Sequence, residues 1–159
     1  MSNPQDFRHT LGRFATGVTV ITVQHEGITR GITVSAFMSL SLEPPLVGVC
    51  IDKHAQAHAT LLATKQYGVS ILREGQADVS THFAGHPSLA DDPFTDVHGM
   101  PLIADALAHI ICDVDAQHDV GDHTFFVGRV THLAWYDGEP LLYSQGSYRY
   151  LTPLGEGSH

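Results

Sequence analysis

The spacing of apolar residues predicts that strands make up most of this chain. Strands are expected over residues 18–24, 29–35, 46–51, 67–71, 108–114, 124–134 and 141–144, where apolar or β-branched residues run continuously or at alternate positions. The polar residues 25–27 separate the first two runs and are typical of a hairpin turn.

Apolar residues recur at helical spacing in three places, within residues 7–14, 55–64 and 76–83. The first stretch is defined by Phe7, Leu11 and Phe14, and Gly17 is the expected stop. Residues 85–105 contain three prolines and several aspartates, so we expect a long irregular loop or lid there.

The order of these elements favours a mainly β fold. Strands and helices do not alternate strictly, as they would in a doubly wound parallel sheet. We therefore expect a largely antiparallel β-barrel with peripheral helices packed outside it. The chain shows no internal repeat and no low-complexity linker, so residues 1–159 are expected to form a single domain.

The charge balance narrows the classes of partner. Eight lysines and arginines face seventeen aspartates and glutamates, which gives a formal net charge of −9. A net negative charge argues against nucleic acid as a binding partner. Because the protein as a whole would not attract a phosphate-bearing ligand, a few local cations and backbone N–H groups would have to hold it. No apolar run is long enough to cross a bilayer and no signal-peptide pattern begins the chain, so no membrane is expected and the cytoplasm is the default location.

Several common catalytic signatures are absent from the sequence. There is no G-x-G-x-x-G after a strand, no phosphate-binding G-x-x-x-x-G-K-[ST], no G-x-S-x-G and no H-E-x-x-H. The two cysteines lie in apolar, strand-like runs and are predicted to be buried free thiols, and Cys50 is a better candidate than Cys112 for lining a ligand pocket.

The chain contains twelve histidines, and two pairs have the i, i+4 spacing that would put both rings on one helical face. These are His54 with His58 and His82 with His86. No carboxylate or cysteine accompanies either pair in a standard ligand pattern, so no metal site is expected.

Six sequence blocks carry a family resemblance. They are F-R-H-T-L-G-R-F-A-T-G-V-T-V-I-T at 7–22, G-I-T-V-S-A-F-M-S-L-S-L-E-P-P-L-V at 31–47, C-I-D-K at 50–53, F-A-G at 83–85, G-D-H-T-F-F-V-G-R-V at 121–130 and P-L-L-Y-S-Q-G-S-Y at 140–148. In this order, over about residues 7–151, they resemble the flavin reductase-like family. That family comprises small reductase components of two-component flavin monooxygenases, built on an FMN-binding split barrel.

The resemblance implies a flavoprotein oxidoreductase. Its cofactors would be FMN or FAD together with NADH, or NADPH, and hydride would pass from nicotinamide C4 to flavin N5. A homodimer and a partner monooxygenase that receives the reduced flavin are also implied. The alternatives are a non-reductase flavin-binding protein of the same fold, a histidine-rich metal- or haem-binding barrel, and a pure interaction module.

The second block is implied to lie along the isoalloxazine ring. Its hydroxyls and backbone N–H groups suit the polar edge of a flavin, although the family often has Asn where Ser35 stands. The implied contacts are Thr33, Val34, Ser35, Ala36, Phe37, Ser39 and Leu40. The alternative is a polar hairpin corner.

The third and fourth blocks are implied to contact the flavin as well. A strand end followed by a helix start can seat a phosphate, with charge added by Lys53 and His58. The residues implied for this seat are Cys50, Ile51, Asp52, Lys53 and His58, and those near the flavin are Phe83, Ala84 and Gly85. The alternatives are a solvated Lys53, a core Phe83 and a Gly85 that caps a helix.

The fifth block is implied to contact the nicotinamide. Gly121 and Asp122 form a tight turn that would aim His123 at the nicotinamide amide, which makes His123 the one candidate catalytic residue. The alternative is an ordinary hairpin turn. Tyr148, in the last block, is expected to close over the ligand.

Overall fold

The computed structural model describes residues 3–155, which contain three helices and twelve strands. Their order is α1 (Pro4–Leu11), β1 (Thr16–Gly17), β2 (Thr19–His25), β3 (Ile28–Val34), β4 (Phe37–Ser41), β5 (Leu46–Asp52), α2 (Gln56–Thr64), β6 (Gln66–Ile71), α3 (Ala77–Phe83), β7 (Phe94–Val97), β8 (Met100–Ile103), β9 (Ala108–Val120), β10 (His123–Trp135), β11 (Leu141–Ser144) and β12 (Ser147–Tyr150). Within this part of the chain no helix is long and apolar enough to cross a membrane.

Seven strands form one sheet in the order β3-β2-β6-β9-β10-β5-β4, and every neighbouring pair is antiparallel. The two edge strands, β3 and β4, are joined by only Ser35 and Ala36. Because two residues span only a few ångströms, the sheet must curl until its edges meet. The prediction of a mainly β, antiparallel barrel with peripheral helices is therefore confirmed.

The barrel core follows from the alternation of side chains along its strands. In β10, for example, Thr124, Phe126 and Gly128 are buried while the residues between them are only partly buried. Helix α2 adds Ala57 and Leu61 to this core. The remaining core members are Ile21, Val23, Val34, Val47, Val49, Ile51, Tyr67, Val69 and Cys112.

The prediction of an irregular loop over residues 85–105 is wrong for its second half. Strands β7 and β8 form a hairpin there, with a turn at His98 and Gly99, whose φ angles are 50° and 83°. The side chains of Met100 and Leu102 are buried against the barrel. Asp96 and Pro101 lie inside the two hairpin strands, opposite each other, whereas Pro87, Pro93 and the aspartates at 91 and 92 precede the hairpin.

The terminal elements also differ from the prediction. Helix α1 ends at Leu11, before the expected stop, and Gly17 lies in β1. The strand at 141–144 is not the last, because β12 follows it and β1, β11 and β12 form a separate three-stranded sheet. Residues 37–41 are not among the predicted strands, and they form the edge strand β4.

Candidate functional site

A continuous groove follows β3 on the outside of the barrel. It consists of cavities of about 550, 190 and 300 Å³ that share lining residues, Thr33 and Ala84 between the first two and Val18 and Ser35 between the last two. We call this the β3 groove. Its lining comprises residues 14–19, 30–33, 35, 37, 55–57, 71, 80, 82–85, 87, 143 and 148.

Helix α3 forms one wall of the β3 groove because two residues of β3 let it approach closely. Gly31 has no side chain, and a Cβ built there would stand 2.7 Å from the ring of Phe83. Two residues along, the hydroxyl of Thr33 donates a hydrogen bond to the carbonyl oxygen of Ser80 at 2.6 Å. The position of α3 against β3 is thereby fixed, and Phe83, Ala84 and Gly85 all line the groove. Their contact with a flavin stays a prediction of the family resemblance.

Tyr148 reaches the β3 groove from β12. Its hydroxyl donates a hydrogen bond to the hydroxyl of Ser80 at 2.7 Å and lies 3.3 Å from that of Thr81. Its ring packs edge-on against Tyr143 with 5.3 Å between centroids. These contacts hold β12 against α3, so that both tyrosines line the central cavity.

Thr16 is a groove residue that was not singled out from the sequence. Its hydroxyl is buried and has no hydrogen-bond partner among residues 3–155, and it lines the same cavity as Val18, Ser35 and Phe37. An unpaired buried hydroxyl costs stability, so its presence beside a cavity marks a place where a ligand can supply the missing partner. The only sequence signal was a threonine within the F-A-T-G block.

The charged end of the β3 groove lies where α2 begins. Arg30 donates a hydrogen bond from Nη1 to Oε1 of Gln56 at 3.0 Å, and no side chain caps the N-terminus of α2, which follows Ala55. A free helix N-terminus beside an arginine favours an anion. The rest of the lining is largely apolar or hydroxyl-bearing, which suits a flat heteroaromatic ring.

His82 also lines the β3 groove, but its ring is already engaged. Its Nδ1 accepts hydrogen bonds from the backbone N–H groups of Ser88 and Leu89 at 3.0 and 3.1 Å, and its edge meets Phe83. Nδ1 accepts these two hydrogen bonds through its lone pair, so it carries no proton. The His82 ring thereby holds residues 86–89 against α3.

A second group of predicted site residues gathers at the turn between β9 and β10. His123 Nδ1 lies 2.8 Å from Oδ1 of Asp122. The backbone N–H of Lys53 donates to the carbonyl oxygen of Asp122 at 3.0 Å, and its ammonium lies 3.5 Å from Oδ1 of Asp119. Lys53 is thus already paired with a carboxylate. None of these residues lines the β3 groove.

The hydrogen bond from His123, reinforced by the charge of that ring, lowers the pKa of the Asp122 carboxyl. The pKa of Asp52 is lowered mainly by a hydrogen bond from the backbone N–H of His54. Both carboxylates are therefore ionised over a wide pH range. His123 pairs with Asp52 across β5 and β10, so its ring stands between two anionic groups.

The remaining predicted residues are distributed over other surroundings. His58 Nε2 lies 2.8 Å from Oγ1 of Thr124, and the His58 ring packs edge-on against Phe126. This nitrogen is therefore already hydrogen-bonded within the protein, and a contact with a phosphate stays a prediction. Val34 and Ile51 are in the core, whereas Ala36, Ser39 and Leu40 are exposed. Ser35 and Phe37 line the β3 groove. Two glycines have positive φ angles: Gly121, at +62°, forms the turn between β9 and β10, and Gly85, at +97°, follows the residue that caps α3.

The two cysteines are free. Cys112 is buried, and this raises the pKa of its thiol to about 12. Cys50 is half-buried, and desolvation raises the pKa of its thiol too. Neither thiol is therefore activated as a nucleophile. Among residues 3–155 no group of three or more metal-binding side chains is placed to hold a metal ion.

Two known proteins that resemble this chain are reductases by name. An NADH-dependent flavin reductase of a Rhodococcus species is 45% identical over 96% of this chain and 89% of its own. The reductase component of a 4-hydroxyphenylacetate 3-monooxygenase of Thermus thermophilus is 41% identical over 92% and 95%.

A solved structure of the flavin reductase PheA2 in its native state covers 96% of this chain and 100% of its own. It superimposes with a TM-score of 0.92 at 41% identity. The sequence profile described as flavin reductase like domain matches residues 11–152. This chain therefore belongs to the flavin reductase-like family.

Proposed function

We propose that this chain is a single-domain NAD(P)H:flavin oxidoreductase that binds FMN or FAD in the β3 groove. The observation that carries this assignment is the groove itself, whose apolar walls, hydroxyl groups and one cationic end match a flavin ring with its phosphate-bearing tail. The relatives named above, an NADH-dependent flavin reductase and a monooxygenase reductase component, support the same activity.

Each part of the β3 groove has a role toward the flavin. The unpaired hydroxyl of Thr16 and the hydroxyl of Ser35 hydrogen-bond the polar edge of the ring, while Val18 and Phe83 pack on its apolar part. Arg30 and the N-terminus of α2 hold the phosphate. When bound, the flavin supplies the redox chemistry, accepting hydride from the nicotinamide.

The residues at the turn between β9 and β10 orient the nicotinamide. Asp122 fixes the ring of His123 through Nδ1, which leaves Nε2 to hydrogen-bond the nicotinamide amide. Hydride transfer needs close stacking of two rings and no side-chain acid or base. We expect His123→Ala to raise the KM for NADH about tenfold, the loss of one hydrogen bond to a fixed ring.

The reduced flavin is proposed to pass to a partner monooxygenase, as the Thermus relative's name indicates for that protein. A homodimer is supported by exposed apolar side chains: Phe7, Leu11 and Phe14 are 61%, 52% and 75% exposed. Exposed residues of this kind mark contact surfaces. The use of NADH and the free thiols favour the cytoplasm.

The test is oxidation of NADH and of NADPH by the purified protein with FMN, with FAD and without flavin. Flavin-dependent turnover establishes the reductase, and the rates rank the flavins and the nicotinamides. Absence of turnover with either flavin refutes it, and flavin binding measured by fluorescence quenching then separates a flavin store from a protein that binds no flavin. Metal analysis of the same sample tests the metal- or haem-binding alternative.

A further inference from the structure

The ring of Phe83, which lines the β3 groove, has an aromatic neighbour outside the groove. This neighbour is Phe94, the first residue of β7, and the two ring centroids lie 5.6 Å apart with an angle of 49° between the ring planes. Phe94 is half-buried and does not line the groove itself. Any influence of Phe94 on a ligand of the groove must therefore act through Phe83.

The loop of residues 84–93 brings the chain back to Phe83, and hydrogen bonds hold it at both ends. Near α3, the ring of His82 accepts the backbone N–H groups of two loop residues. Near β7, the backbone N–H of Phe94 donates to Oδ1 of Asp92 at 2.9 Å, and the carbonyl oxygen of Pro93 accepts the backbone N–H of Ala104 at 2.8 Å. The approach of Phe94 to Phe83 thus does not depend on the two rings alone.

Phe94 is also fixed relative to the barrel, through its partner across the hairpin. It pairs with Ile103 of β8. The backbone N–H of Ile103 donates to Oγ of Ser70 at 2.9 Å, and its carbonyl oxygen accepts from Nε2 of His109 at 2.7 Å. Ser70 in β6 and His109 in β9 are both buried, and buried hydrogen bonds are costly to break. The hairpin is therefore fastened to the barrel at the level of Phe94.

The orientation of the Phe83 ring depends on few neighbours. Gly31 lets the ring approach β3 closely but offers no side chain to hold it. Within residues 3–155 its aromatic contacts are His82, at 4.7 Å between centroids, and Phe94. His82 belongs to the same helix as Phe83, so Phe94 is the contact that ties the ring to another element. Removal of the Phe94 ring would leave space into which Phe83 can turn.

We propose that Phe94 is a positioning residue, which holds the ring of Phe83 in the orientation that packs on the flavin. This rests on the proposed function, in which Phe83 contacts the apolar part of the flavin ring. A contact that is already in place before binding costs less to form than one that must be ordered by the ligand. Phe94 therefore strengthens flavin binding without touching the flavin, and binding of the nicotinamide at the turn between β9 and β10 does not depend on it.

FMN is the probe, and its Kd for the flavin-free protein is measured by fluorescence quenching. The series Phe94→Leu, Phe94→Val and Phe94→Ala removes increasing volume behind Phe83, so the Kd should rise in that order. For Phe94→Ala we expect a rise of about three- to tenfold, the worth of one aromatic pair. If Phe94→Ala does not fold, Phe94→Val gives the test, with a smaller rise in the same direction.

The matched control is Val97→Ala, on the same strand. Val97 is partly buried against a different cluster, formed by Met100, Leu102 and Ile111. Its truncation should lower the urea midpoint of unfolding, as Phe94→Ala does, but leave the Kd for FMN unchanged. Steady-state kinetics give a second readout: Phe94→Ala should raise the KM for FMN and leave the KM for NADH unchanged, whereas partial unfolding would lower the rate without moving either KM.

The Phe83→Leu background shows whether Phe94 acts through Phe83. In that background Phe94→Ala should change the Kd for FMN by less than about twofold. The same change in both backgrounds overturns the inference, and so does equal weakening of FMN binding by Val97→Ala and Phe94→Ala. A wild type that binds FMN with a Kd unchanged along the Phe94 series overturns the inference alone. A wild type that binds neither FMN nor FAD refutes the proposed function as well.

Discussion

The hydroxyl of Tyr148 donates a hydrogen bond to the hydroxyl of Ser80 at 2.7 Å, across 68 positions of sequence. Ser80 is buried, and its carbonyl accepts the hydroxyl of Thr33. One residue of α3 therefore joins the last described strand to β3, and all three residues line the central cavity of the β3 groove.

Tyr148→Phe removes this hydrogen bond and keeps the ring beside Tyr143. We expect the free energy of unfolding to fall by about 0.5–1.5 kcal/mol and flavin affinity to fall with it, measured by urea denaturation and by fluorescence quenching. The matched control is Tyr150→Phe on the same strand, where the ring is 64% exposed. Equal effects of the two substitutions would contradict a specific role for Tyr148.

Gly31→Ala tests the close approach of α3 to β3. The new methyl group would stand 2.7 Å from the ring of Phe83, which must move out of its place in the β3 groove. We expect a loss of about 1–3 kcal/mol in stability and weaker flavin binding. The double variant Gly31→Ala/Phe83→Leu should recover part of the stability. Additive losses in the double variant would show that the two positions are not in contact.

The substitution Thr16→Val distinguishes a structural role of the Thr16 hydroxyl from a role in ligand binding. Because the Thr16 hydroxyl is buried and has no partner in residues 3–155, its removal should leave the stability of the flavin-free protein unchanged or higher. Flavin affinity should fall about three- to tenfold, since the ligand loses one hydrogen bond.

The control for this substitution is Thr22→Val. The buried hydroxyl of Thr22 donates to the carbonyl oxygen of Pro101 at 2.5 Å, so its removal should destabilise the protein by about 1–3 kcal/mol. If Thr16→Val destabilises the flavin-free protein to the same extent, Thr16 has a structural partner and not a ligand-binding role.

The turn between β9 and β10 gives a prediction on pH. The pKa of Asp122 is lowered in the folded protein, so its contribution to stability is present above the pKa of the unfolded chain and is lost as the pH falls through the lowered value. His123→Ala should raise the pKa of Asp122 toward its ordinary value in a carboxyl NMR titration. Asp52, whose pKa is lowered mainly by the backbone of His54, should stay low. An unshifted Asp122 would exclude the hydrogen bond from His123.

The strands of the barrel could be predicted because their buried residues either alternate, as in β10, or run almost continuously, as in β2 and β6. Alternation in residues 124–134 located β10, and a polar turn between two β-branched runs located the hairpin of β2 and β3. The hairpin of β7 and β8 could not be found in this way, because its strands are four residues each and lie beside prolines and aspartates. Met100 and Leu102 are buried because they pack with Ile111 of β9, and this contact is visible only in the folded structure.

The candidate site was predictable where a motif lies in one segment. The F-A-G block and Ser35 line the β3 groove, in which we propose that the flavin binds. His58 could not be assigned from sequence, since a helix start does not reveal which way a side chain turns. The role proposed for Thr16 could not be predicted from sequence, because it depends on the lack of a hydrogen-bond partner for its buried hydroxyl among residues 3–155.

The position of Tyr148 also has a consequence for biosynthesis. All seven strands of the barrel lie before residue 136, whereas the strand that carries Tyr148 is translated after them. Synthesis at about 5–20 residues per second lets the barrel form on the ribosome before this wall of the groove has emerged. We therefore expect flavin capture to be a late step in maturation, and we expect chains truncated after residue 136 to retain flavin poorly.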